Sequence, residues 1–202
     1  MKKIGLYGGT FSPPHKGHVM AARAFASAIN LDTLLIMPAF IPPHKQTCDE
    51  ASPQDRIRMC EIAFSEVEHA EISDMEIARK GKSYTYITLE ELSLDECEIY
   101  MLVGTDMFLT LDAWRCSEKI FKAATICYVR RECDSENDSK IDEKTLLYKE
   151  KYGAEIIKID APTFEISSSE LRGLLATGNP DAEKYLSVGL LDFIRERGLY
   201  IR

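Results

Sequence analysis

The sequence predicts an α/β fold, a doubly wound parallel sheet with helices on both faces. Three observations lead there. Short apolar runs alternate with longer stretches of helical character, which is the pattern of strands joined by crossover helices. Two of these runs end in glycine turns, Gly8-Gly9-Thr10 and Gly104-Thr105-Asp106, where such sheets hold ligands at the carboxyl ends of their strands. No repeat, low-complexity segment or linker divides the 202 residues, too few for two large domains. The expectation is one domain over residues 1–202, with a helical C-terminal portion from about residue 167.

Lys3 to Tyr7 reads as a buried strand and Val19 to Ile29, apolar and rich in alanine, as a helix packed on it. Thr33 to Met37 is a second strand, followed by the proline-rich loop Pro38 to Gln46. Pro53 to Glu66 is expected to be a helix capped by Ser52, with Ile57, Cys60, Ile62 and Ala63 on one side. Ala70 to Ile77 reads as a strand and Tyr84 to Leu94 as a helix capped by Ser83 or Thr85. Glu98 to Val103, Ala123 to Val129 and Ala154 to Ile159 complete the strands. The acidic stretch Glu132 to Glu143 is expected to be a mobile surface loop. Helices are predicted over Ser167 to Ala176 and Val188 to Arg195, with Gly178 and Gly198 near their ends.

The amino-terminal segment KIGLYGGTFSPPHKGH carries the strongest chemistry. It places His15 and His18 in the loop and first turn of a helix, where free N–H groups and the helix dipole attract an anion. At a spacing of three they share a face and can meet one phosphate. Zinc is the rival partner for paired histidines, but no third ligand stands at a metal spacing, so no protein-held metal is expected. In IPPHK the prolines hold His44 and Lys45 on a stiffened loop; a solvated surface lysine is the plainer alternative. In ISSSELR, Ser167 or Ser168 can cap a helix whose next turn carries Arg172, either a phosphate clamp or a surface arginine. In GTDMFLTLDAW, Asp106 can accept from a ribose or base, and Trp114 either stacks on a ring or packs in the core. SYT, Ser83 to Thr85, offers hydroxyls and amides at a helix start.

Composition narrows the partners. Hydrophobic residues make up 45% and charged residues 29%, and the net charge is −8. That acidic surplus argues against nucleic acid, and a small anion in a local basic pocket fits better. No apolar run reaches the roughly 20 residues needed to cross a bilayer, so no membrane partner is expected. The amino-terminal apolar run is too short for a secretory signal. The six cysteines contain no C-x-x-C pair, which suits reduced thiols in the cytoplasm. A homo-oligomer is compatible with the sequence.

These motifs, in this order, resemble the nucleotidyltransferase superfamily marked by His-x-Gly-His and a late serine-arginine motif. More narrowly, GGTFSPPHKGH, PPHK, SYT, GTDMFLTLDAW and ISSSELR are similar to those of bacterial nicotinate-nucleotide adenylyltransferases. The resemblance runs from Gly8 to Arg172 and departs at Ser12, where an aspartate is common. It implies a Rossmann-like sheet and transfer of the adenylyl group of ATP to nicotinate mononucleotide, giving deamido-NAD and pyrophosphate. His15, His18 and Arg172 would then be catalytic. Gly8, Gly9, Thr10, Phe11, Lys16, Gly17, Gly104, Asp106, Ile166, Ser167 and Ser168 would hold ATP, and Lys45, Tyr84, Thr85 and Trp114 the mononucleotide. Mg2+ would enter bound to the ATP phosphates. Rival acceptors are nicotinamide mononucleotide and phosphopantetheine; a non-catalytic nucleotide-binding regulator is the rival from another class.

Overall fold

The computed structural model describes residues 1–43, 51–93, 96–130, 137–162, 164 and 166–200. The strands are β1 (Lys2–Gly9), β2 (Thr33–Pro38), β3 (Ala70–Ile72), β4 (Cys97–Gly104), β5 (Thr125–Val129) and β6 (Ile156–Ile159). They form one sheet in the order β3-β2-β1-β4-β5-β6, with every pairing parallel. The helices are α1 (Lys16–Ile29), α2 (Pro53–Ala63), α3 (Met75–Arg79), α4 (Thr85–Leu92), α5 (Thr105–Phe108), α6 (Ser117–Ala123), α7 (Asp138–Tyr152), α8 (Ser168–Ala176) and α9 (Val188–Glu196).

The order makes β1 the neighbour of both β2 and β4, so the winding reverses between β1 and β4. A crevice therefore opens at their carboxyl ends, beside Gly9 and Gly104. Two apolar layers sandwich the sheet, one containing Met101, Phe108 and Tyr148, the other Phe25, Leu34 and Cys60. Gly5 lets α1 approach, because a Cβ there would lie 2.9 Å from Phe25 and collide with Leu31. A third apolar cluster joins Met59 of α2 to Leu171 and Leu175 of α8 and Leu190 and Ile194 of α9. It fastens the C-terminal helices over the rim of the crevice. Among the described residues no helix is long and apolar enough to cross a membrane.

Four local expectations need correction. The strand expected over Ala70 to Ile77 stops at Ile72, and α3 takes over from Met75. There Glu76 and Ile77 turn inward together, a pairing that alternation does not permit. Residues 138–143 of the expected acidic loop lie in α7, anchored by Ile141 and Tyr148 at a spacing of two turns. Residues 132–136 lie outside the described residues. Ala123 closes α6 rather than opening β5. Finally, α2 buries Asp55, Arg56, Met59 and Cys60, with Ile57 only half-buried. A charged residue displaces an isoleucine inward because carbonyl acceptors wait for it, as described next.

Candidate active site

One cavity of about 320 Å3 lies at the crossing between β1 and β4. Its floor is the end of β1 and the loop that follows. Gly8 lines it, and a Cβ on Gly8 would meet nothing within 4 Å, so the backbone there faces open space. Gly9 also lines it and is needed for packing: a Cβ would lie 2.9 Å from the Phe11 ring. Phe11 itself takes φ 49, the left-handed region that a bulky residue enters at a cost of about 1 kcal/mol. Edge-on contacts with Tyr7, His18 and Phe64 at centroid distances of 5.5, 5.2 and 5.7 Å hold it there.

His15 caps α1 in an extended conformation, and its N–H donates to His18 Nδ1 at 3.2 Å. The two imidazoles lie 3.7 Å apart, tilted by 40°. Because His18 Nδ1 accepts, a neutral His18 carries its proton on Nε2. That leaves an N–H donor on the imidazole, and His18 lines the cavity. His15 is buried behind it and does not line the cavity. The two imidazoles thus differ: His18 lines the cavity, and His15 packs behind it.

The rim comes from α8. Ser167 accepts from the Glu170 N–H, and the Glu170 carboxylate in turn accepts from the Ser167 hydroxyl and N–H at 2.7 Å each. These bonds hold the Glu170 carboxyl below its usual range. The cap leaves Ser168 turned toward the loop after β1, where its hydroxyl donates to the Pro13 carbonyl at 3.0 Å. Arg172 donates to the Ser12 carbonyl at 2.8 Å and to the Ser169 hydroxyl at 3.1 Å. Residues from both ends of the chain are therefore stitched across one opening, with His18 and Arg172 both lining it.

Under the same loop lies Arg56, only 5% exposed. It donates to the Thr10 carbonyl at 3.0 Å and to the Phe40 carbonyl at 3.4 Å. Burial pulls its pKa down from the ordinary arginine value. Sequence reasoning missed this residue, since an arginine between Asp55 and Ile57 reads as a helix surface.

The far side of the cavity is formed by Tyr84, Thr85 and Trp114. Ser83 does not cap α4; its hydroxyl accepts from the Phe40 N–H at 2.8 Å and fixes the turn before the helix. Trp114 follows a short 3-10 turn over Leu111–Ala113. Asp112 in that turn accepts from Lys144 at 2.8 Å and from Tyr148 at 3.0 Å. Burial pushes the Asp112 carboxyl up, but those donors outweigh it and hold the pKa below its usual value. The half-buried Trp114 is thereby mounted on a firmly tied segment, part packed on the core and part facing the cavity.

Of the residues expected from sequence, Thr10, Gly104, Asp106, Ser167 and Ser168 also line the cavity. Besides His15, three expected contacts are placed elsewhere. The Lys16 ammonium donates to the Lys184 carbonyl at 2.8 Å and does not line the cavity. Gly17 makes room for its neighbours, since a Cβ would lie 3.1 Å from the His15 ring and from Phe164. Ile166 is buried in the C-terminal cluster. Lys45 lies outside the described residues. The lining also includes Ser12, Glu76 and Arg115, which sequence reasoning did not assign. Among the described residues no group of three or more His, Cys, Asp or Glu could hold a metal ion.

Comparison with known proteins identifies the family. The cytidylyltransferase-like family matches residues 6–174. A protein of Neisseria meningitidis named "Probable nicotinate-nucleotide adenylyltransferase" is 34% identical over 99% of each chain. One of the same name from Lactococcus lactis is 34% identical over 98% of this chain and 95% of its own. In fold, the chain is similar to a Plasmodium falciparum nicotinic acid mononucleotide adenylyltransferase solved with APC. There the TM-score is 0.75 at 21% identity, covering 99% of this chain and 98% of the other. The chain belongs to the cytidylyltransferase-like nucleotidyltransferases and, within them, to the nicotinate-nucleotide adenylyltransferase family.

Proposed function

We propose that this chain transfers the adenylyl group of ATP to nicotinate mononucleotide, giving deamido-NAD and pyrophosphate in NAD biosynthesis. The observation that carries this reading is the shared cavity. His18, Arg172 and the Gly8-Gly9 turn line one part of it, and Tyr84, Thr85 and Trp114 another. A polyphosphate suits the first set and a flat ring the second.

An oxygen of the mononucleotide phosphate attacks the α-phosphorus of ATP. The bond from that phosphorus to the bridging oxygen breaks, and its electron pair leaves with pyrophosphate. The attacking oxygen is already ionised at neutral pH, so the protein supplies neither base nor nucleophile. Its work is to align two anions and to stabilise charge on the transferring and leaving phosphates. His18 gives an N–H donor, and Arg172 a guanidinium oriented by Ser12 and Ser169. The backbone N–H of His15 fixes the tautomer of His18, and the His15 imidazole packs against the His18 ring.

The lining hydroxyls, glycines and cations suit phosphate oxygens better than a directly bound divalent ion. Mg2+ would be held through the ATP phosphates and would supply neutralising charge there. The whole chain works as one domain, its C-terminal helices tied to α2 by the third apolar cluster. Cys60, Cys97, Cys116 and Cys127 stand in no disulfide among the described residues, which fits a reducing compartment such as the cytoplasm.

The test is a substrate panel with pyrophosphate release as readout. Nicotinate mononucleotide with Mg-ATP should be preferred at least about tenfold over the amide and over phosphopantetheine. A tenfold preference for another acceptor would overturn the choice. ATP binding without turnover on any acceptor would favour a regulator. Chelation with EDTA should abolish turnover and leave the melting temperature unchanged.

Trp114 is the only tryptophan, so fluorescence excited selectively at tryptophan reports this site. Trp114→Ala should weaken mononucleotide binding by about 10-fold, the loss of one stacked ring, and leave the ATP KM within about twofold. An unaltered mononucleotide KM would make Trp114 a core residue only.

A further inference from the structure

We propose that Arg115 recognises the ring carboxylate of the mononucleotide and sets the preference for the acid over the amide. This rests on the reaction proposed above and adds a residue to it. Three side chains that can carry positive charge line the cavity among the described residues, His18, Arg115 and Arg172. His18 and Arg172 face each other's elements across the loop after β1. Arg115 stands apart from them, on the segment that carries Trp114. Its guanidinium carbon lies 4.8 Å from the centre of the Tyr84 ring. It therefore sits among the three residues assigned to the pyridine ring.

The surrounding charge favours such a cation for an acidic ring. Glu76 and Asp106 are the carboxylates that line the same cavity. Glu76 is 8% exposed and accepts from the Thr88 hydroxyl at 2.6 Å, so it is fixed in place. Arg79 lies 3.9 Å from the Glu76 carboxylate and offsets part of this charge; a cation beside the ring would offset the rest. Arg115 forms no ion pair among the described residues, so its charge is available. A hydrogen bond to the Tyr84 side chain orients the guanidinium, and its remaining N–H donors can meet a carboxylate. An amide offers one acceptor, and its NH2 opposes the guanidinium. Arg115 is exposed, so its substitution should leave the core intact.

The test compares Arg115→Gln and Arg115→Lys with the unaltered enzyme. Steady-state rates with Mg-ATP are measured for both mononucleotides, and binding without ATP is read from Trp114 fluorescence. Arg115→Gln should lower the acid-to-amide ratio of kcat/KM by about tenfold or more, mostly through the KM for the acid. Arg115→Lys should recover part of that ratio. An unchanged ratio would overturn the proposal. So would equal losses for acid and amide, which would place the guanidinium on a phosphate instead. If the unaltered protein turned over neither mononucleotide, the proposed reaction would fail. The fluorescence titration would still decide on Arg115: equal affinity for acid and amide in the unaltered protein would dismiss it.

Discussion

Replacing His18 by alanine will lower kcat by about 10²- to 10³-fold and change mononucleotide affinity by less than about threefold. The argument starts from one bond. The His15 N–H occupies His18 Nδ1 at 3.2 Å, so the imidazole donates from Nε2. Ground-state phosphates would already meet Mg2+ and several hydrogen-bond donors, so one N–H adds little to their binding. In the transition state, charge gathers on the transferring and leaving oxygens, and a donor already aimed at them gains strength there. Removing it should therefore act on turnover. His18 is also packed edge-on against Phe11, so melting curves must accompany the kinetics. His18→Gln, which keeps a donor and much of the volume, should recover part of the rate. Equal losses in kcat and in mononucleotide affinity would make His18 a ground-state ligand.

Arg56→Ala should destabilise the fold by about 3 kcal/mol. The guanidinium is buried and satisfies the carbonyls of Thr10 and Phe40. Alanine would leave both acceptors unanswered and open a void between α2 and the loop after β1. Each buried orphan costs roughly 1–3 kcal/mol. For a chain of this size the melting temperature should fall by about 6–12 °C. Arg56→Met fills the volume but not the bonds, and should recover less than half of the loss. The KM for ATP should rise in both variants, because the Thr10 carbonyl is part of the cavity-lining loop. A change under about 1 kcal/mol would mean that the loop holds its shape without Arg56.

What the sequence revealed, and what it hid, follows from the range of each cause. Gly8-Gly9 and Gly104 were legible because only a strand ending in such a turn brings backbone to a ligand, and both lie at the crossing of β1 and β4. His18 and Arg172 were legible through local helix-start chemistry. Arg56 was hidden because its burial is decided by carbonyls 46 and 16 residues away. Arg115 was hidden for the same reason, its partner being the Tyr84 ring from another element. Lys16 misled because adjacency to the histidines says nothing of direction, and α1 turns it to the Lys184 carbonyl. The helix α7 was hidden because Ile141 and Tyr148 are its only fully buried residues, too few to give a periodic signal.

The account stands on His18 and Arg172 gripping the same nucleotide tail. The most direct measurement is a crystal structure with Mg2+ and a non-hydrolysable ATP analogue. The predicted result is His18 Nε2 and the Arg172 guanidinium each within about 3.2 Å of oxygens of that triphosphate. A triphosphate bound away from both side chains would contradict the account.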